Sequence, residues 1–161
     1  MAALISQQAG PMNVTRLTLR QMILGLVLLG IIGLIAELLL QEHFESATQI
    51  IPLACLGAGL ATTILVARSS THSTLRLFTF MMIVFVAAGV LGLVLHFKGN
   101  MEWALERQPE LSGRTLVWKS LTGATPALAP GALAQLGLLG LAWAYRHPAR
   151  RHGSGNMEID K

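Results

Sequence analysis

The chemically interesting residues of this chain are few and sit in apolar surroundings. Glu37 is the one acidic residue inside an apolar run, and Gln135 is a polar side chain inside another. Around the ends of such runs gather Glu42, His43, Glu45, His96 and Glu102. A carboxyl in hydrocarbon costs about 2.5–3.5 kcal/mol at the bilayer midplane and less towards an end. It therefore turns towards protein or a wet vestibule. There it can hold a proton or a cation, or make a helix-packing hydrogen bond, with Gln135 as one candidate partner. Burial raises a carboxyl pKa, and a neighbouring imidazole or amide can favour either form.

Neutral imidazoles beside carboxylates suit Zn, Cu, Fe or Ni. His43 and His96 follow two different apolar runs, and both fall on the same side of a membrane if those runs cross it. Glu37, His43 and His96 are then expected to share one local environment. No HxxxH, HExxH or CxxC spacing is present, so the residues do not name a metal. Interfacial polar side chains without a ligand are the competing reading, and no cofactor is expected. Catalytic patterns are thin. Ser69, Ser70 and Ser73 lie beside His72 in a basic loop with no acid to orient an imidazole. No nucleophile elbow, phosphate-binding glycine loop or dinucleotide fingerprint occurs. The residues point away from an enzyme.

Four long apolar runs must position these groups: Gln21 to Leu40, Gln49 to Ala67, Leu75 to Leu95 and Ala127 to Tyr145. Each is long enough to cross a hydrocarbon core of roughly 30 Å as a helix of about 20 residues. Composition agrees, with 53% hydrophobic and 12% charged residues against the roughly 25% charge of soluble domains. The expected fold is an all-α integral membrane protein, four transmembrane helices in one bundle spanning residues 1–161. Cys55 is the single cysteine, so an intramolecular disulfide has no second thiol. Met1 to Thr15 hold no Lys or Arg, and the first run exceeds a signal-peptide core, so it is expected to be retained.

Within the first run Gly30, Gly33, Glu37, Gln41 and Phe44 recur at three- and four-residue steps, which places them on one helical face. Small residues let backbones approach where lipid gives no hydrophobic drive for helix association. This face is expected to pack against the bundle, with Ala88 and Gly92 in the third run and Gly137 and Gly140 in the last as further packing positions. On that expectation Gly33→Leu forces two backbones apart.

The loop from Phe97 to Thr125 is too long for a plain connection. Met101 to Gln108 reads as helix ended by Pro109, and Arg114 to Leu121 as a short amphipathic helix. Trp103 and Trp118 suit a headgroup layer, so this segment is expected to lie along the outer interface. The tail from Ala149 to Lys161 is polar and expected to be mobile.

Net charge is +4, but the basic residues form no single nucleic-acid-binding face. Arg16, Arg20, Arg68, Arg76, Arg146, Arg150, Arg151 and Lys161 fall on one side of the expected membrane, and Lys98, Arg107, Arg114 and Lys119 on the other. The positive-inside rule then sets both termini in the cytoplasm and the protein in the plasma (inner) membrane. In architecture alone the chain resembles the small four-span proteins of bacterial inner membranes, a likeness that assigns no role to any residue. The expected partners are the lipid bilayer and a membrane protein or a second copy. The expected function is that of a non-catalytic accessory or assembly subunit; the alternative is a small transporter, or a metal- or proton-handling protein, using the outer Glu/His group.

Overall fold

The computed structural model describes residues 10–42, 47–123 and 129–150, with side chains described for 19–42, 50–123 and 130–149. They form five α-helices: α1 (Gly10–Leu40), α2 (Ala47–Arg68), α3 (His72–Arg107), α4 (Gly113–Leu121) and α5 (Ala129–Ala144). A short 3-10 turn follows at Pro148–Arg150. The runs are rich in Leu and Ala, which lose little side-chain freedom in a helix. Tertiary burial of one face then fixes them.

The helix ends have identifiable causes. Glu42, at φ 51°, takes the left-handed conformation that closes α1. Between α2 and α3 only Ser69, Ser70 and Thr71 intervene, so the two helices turn back on each other. A reciprocal capping box secures that turn. The Thr74 N–H donates to Thr71 Oγ1 at 3.2 Å, and the Thr71 N–H donates to Thr74 Oγ1 at 2.9 Å. Gln108 caps α3, and Pro109 prevents its continuation. Arg146, at φ 48°, turns the chain after α5.

The packing forms a cycle. α1 lies against α2 and α5, and α3 lies against α2 and α5, so α1 and α3 occupy opposite corners. The α3–α5 contact is the most extensive. Val27 and Ile31 of α1, Leu56 of α2, and Phe78, Met82 and Phe85 of α3 fill the centre. Trp143 of α5 meets Phe78 edge-on, with ring centroids 5.2 Å apart.

Large apolar side chains also cover the outside, including Leu29, Leu40, Ile51, Phe80, Leu91 and Leu138. A surface so apolar fits a lipid solvent rather than water. Three helices, α1, α2 and α3, are long and apolar enough to cross a membrane. The chain thus has the character of an all-helical membrane protein.

One boundary differs from the sequence reading. The third apolar run does not end near Leu95: α3 continues unbroken to Arg107, so much of the expected 97–125 loop is helix. Asn100 is buried against α4, and its bond to the Ser120 carbonyl ties the two helices together. Within the fourth run the described helix α5 has 16 residues, about 24 Å at 1.5 Å per residue, and the expected start of the run at Ala127 lies outside the described residues. At its other end the helix stops at Ala144, and Arg146 turns the chain. Helix α4 is present where the amphipathic segment was expected and packs on the extension of α3. The expected tail beyond Arg150 lies outside the described residues.

Candidate functional site

Helices α1 and α5 are registered by one arginine. The Arg20 guanidinium donates to the carbonyl of Trp143 at 2.7 Å, of Tyr145 at 3.1 Å and of Arg146 at 3.2 Å. The last carbonyls of a helix have no partner within it and carry partial negative charge. A planar cation with several donors serves such a group well. The clasp sets α1 antiparallel to α5 and brings Gly30 over Leu136, whose methyl leaves no room for an added Cβ.

Beside that contact lies an open groove of about 290 Å³, lined by Gly30, Gly33, Ala132, Gln135, Leu136 and Leu139 among others. No atom lies within 4 Å of a Cβ built on Gly33. Gln135 is exposed along this groove. Glu37 is one helical turn past Gly33 on the same face and is also exposed. Its Oε1 accepts a hydrogen bond from Gln41 Nε2 at 3.1 Å rather than from Gln135. The face carrying Gly33, Glu37 and Gln135 therefore turns out of the bundle, whereas the sequence reading turned it inward.

The other spacing residues make close contacts between α3 and α5. A Cβ on Gly137 would meet the Met82 carbonyl at 2.6 Å and the Val86 nitrogen at 2.9 Å. On Gly140 it would meet Met82 Sδ, and on Gly92 it would meet Pro130 at 2.8 Å. Ala88 is half-buried beside the core. Gly89, which the sequence reading passed over, is equally tight, with Ala134 N at 2.5 Å from its virtual Cβ. The signal was available: Gly89/Gly92 and Gly137/Gly140 share the same three-residue step on facing helices.

The outer Glu/His group is distributed differently from expectation. His43 and Glu45 lie outside the described residues. Glu42 is exposed at the end of α1. His96 and Glu102 are on α3, at the opposite corner from α1. Glu102 pairs with Lys98 at 3.6 Å on the exposed face of its own helix. His96 is half-buried, and its Nδ1 is fully buried with no hydrogen-bond partner among the described residues. The structure does not bring Glu37 to His96. Among the described residues no three His, Cys, Asp or Glu side chains are placed to hold one metal ion.

Hydroxyls in the spans are turned onto their own helices. Thr62 and Thr63 both donate to the Gly59 carbonyl, at 3.0 and 2.7 Å, and Thr79 donates to that of Leu75 at 2.7 Å. They satisfy carbonyls of their own helices. Two polar contacts escaped the sequence reading. One is the Arg20 clasp. The other is Asn100, whose Nδ2 donates to the Ser120 carbonyl at 3.0 Å while its amide sits against Gly123. No protein-family model, curated protein or solved structure matches the chain.

Proposed function

We propose that this is a four-span protein of the inner membrane that acts as a non-catalytic accessory or assembly subunit. In this reading α5 is the fourth span, antiparallel to α1, and α4 lies along the outer interface with Trp103 and Trp118 in the headgroup layer. Both tryptophans are exposed, in accord with that placement. The termini are cytoplasmic. Arg20, Arg68, Arg76 and Arg146 fall at one end of the bundle and Lys98, Arg107, Arg114 and Lys119 at the other, and Arg16, Arg150, Arg151 and Lys161 in the sequence add to the first group, which supports that end as the cytoplasmic one.

The observation that carries the assembly role is the outward face of α1 and α5. The span hydroxyls are satisfied within their own helices, but Glu37 and Gln135 point away from the bundle beside an open glycine groove. Polar groups left in hydrocarbon without a partner are costly, and small residues permit close helix approach. A face built this way fits another membrane helix. Purification in mild detergent followed by native mass spectrometry tests it. A stoichiometric protein partner is expected, and Gln135→Leu should weaken its retention. A wild-type protein that runs alone as a monomer under every mild condition would reject the role.

The alternative of a small transporter or proton- or metal-handling protein draws on the unpartnered Nδ1 of His96. Reconstitution of the protein alone separates the two, because a transporter moves its substrate without any partner.

A further inference from the structure

We infer that the arginine end of the bundle binds anionic phospholipid headgroups. The inference draws on the membrane character of the helices and not on the accessory role. Arg20 stands at the start of the apolar stretch Leu19–Leu40, Arg68 closes α2, Arg76 lies in the second turn of α3 and Arg146 follows α5. Where such helices cross a bilayer, all four meet it at the level of its headgroups. The protein sets no negative charge against them. Among the described residues Glu37, Glu42, Glu102, Glu106 and Glu110 all stand towards the opposite end, and so does the ion pair of Lys98 with Glu102. Arg20 is engaged by the carbonyls of Trp143, Tyr145 and Arg146. Arg68, Arg76 and Arg146 are exposed, and none of the three pairs with a carboxylate among the described residues. Arg146 lies over the Tyr145 ring at 5.3 Å, a contact that occupies none of its N–H donors.

Cations held at one end without a counter-ion repel each other, and an anion among them removes that repulsion. The guanidinium fork matches phosphate oxygens. The neighbours of these arginines select a lipid over a free phosphate. Leu65 lies one turn before Arg68, Leu77 follows Arg76 and Tyr145 precedes Arg146, and all three are exposed. A soluble phosphate has no contact to make with that apolar flank. A phospholipid meets both, with its phosphate at the level of the arginines and its acyl chains along the helices. The lipid must carry net negative charge, because a zwitterionic headgroup brings its own cation beside the phosphate. The opposite end is not built this way. Its basic residues Lys98, Arg107, Arg114 and Lys119 stand among the carboxylates already named, so its charges largely cancel.

The test uses the unsubstituted full chain first, in nanodiscs of equal parts phosphatidylcholine and phosphatidylglycerol with matched acyl chains. Both leaflets then have one composition, so the result does not depend on which end faces the cytoplasm. After release into mild detergent, native mass spectrometry should find phosphatidylglycerol retained in preference to phosphatidylcholine, and added sodium chloride should reduce the preference. Arg76→Gln with Arg146→Gln should lower the preference about fivefold for each arginine lost. Arg76→Lys with Arg146→Lys keeps the charge and should keep most of the preference. Lys98→Gln with Lys119→Gln, at the opposite end, should leave it unchanged. Sodium phosphate, added to protein in phosphatidylcholine, should not raise the melting midpoint as phosphatidylglycerol does. A rise of equal size assigns the surface to free phosphate and overturns the lipid inference. Equal retention of the two lipids by the unsubstituted chain overturns it as well, whether or not the variants fold. So does a preference that survives the arginine pair and falls with the lysine pair. Each of these leaves the accessory role standing, because that role rests on the α1–α5 face.

Discussion

At the scale of single residues, the arginine that matters most to the fold reads in the sequence only as a charge near a span end. Arg20 is separated from the carbonyls it holds by more than 120 positions. Its role depends on the antiparallel register of two helices, which no local pattern encodes. Hydrogen bonds to charged groups contribute about 1.5–3 kcal/mol. Arg20→Met is therefore expected to lower stability by about 2 kcal/mol. Arg20→Lys should recover only part, because an ammonium lacks the planar fork that reaches three carbonyls. Thermal unfolding in a mild detergent checks both, and an unchanged midpoint for Arg20→Met would remove the clasp from the account. Glu42 gives a second residue-scale expectation. It holds a left-handed conformation that costs a non-glycine residue about 1–2 kcal/mol. Glu42→Gly should stabilise the protein by up to about 1 kcal/mol by the same measurement.

Between elements, the α3–α5 seam was partly legible. The Gly137/Gly140 step and the Ala88/Gly92 pair stand out in the sequence, and the structure places Gly137, Gly140 and Gly92 where a neighbour leaves no room for a Cβ. The glycine step in α1 was equally visible but turns the other way at Gly33. Periodicity shows that residues share a face and cannot show which neighbour that face meets. The structure separates the two cases in a testable way. Gly137→Ala sets a Cβ against the Met82 carbonyl and Val86 nitrogen, backbone atoms that cannot step aside. It should cost about 1–3 kcal/mol, the range for overpacking. Gly33→Ala meets nothing in the protomer and should change protomer stability by less than about 0.5 kcal/mol. Equal losses in the two variants would reject this division. The extension of α3 was hidden for a different reason. Gly99 and Asn100 carry loop-like propensity, and only the docking of α4 over Asn100 overrides it. Asn100→Leu removes the donor to the Ser120 carbonyl and crowds Gly123. It should free α4 first, seen as faster hydrogen exchange at 113–121 with exchange in α1 and α2 unchanged.

At the scale of the whole molecule, the proposed orientation can be checked at the turn between α2 and α3. With Cys55→Ser as background, cysteine at Ser70, between α2 and α3, should resist a membrane-impermeant thiol reagent applied from outside. Cysteine at Ser112, just before α4, should react. Outside labelling at Ser70 would invert the proposed orientation. Hydropathy made the helical membrane character plain, since long apolar runs need no tertiary information. The outer Glu/His group was the least legible part, because convergence depends on which helices are neighbours. α1 and α3 sit across the cycle from each other, so residues of common depth on them stand at different corners.

The unequal lengths of α3 and α5 have a consequence for the surrounding lipid. α3 is about 54 Å long and α5 about 24 Å, by 1.5 Å per residue, yet they share the most extensive contact in the molecule. On the proposed four-span reading the described part of α5 falls short of a roughly 30 Å hydrocarbon core by several ångströms, and the left-handed turn at Arg146 ends the helix on the side that Arg20 holds. On that reading the mismatch falls beside α5 and not beside α3, so the surrounding bilayer thins on one flank of the bundle, which favours thin membranes. Reconstituted across a series of phosphatidylcholines of rising acyl length, the protein should then be most stable in the shorter chains, and a stability that rises with acyl length would remove α5 from the set of spans.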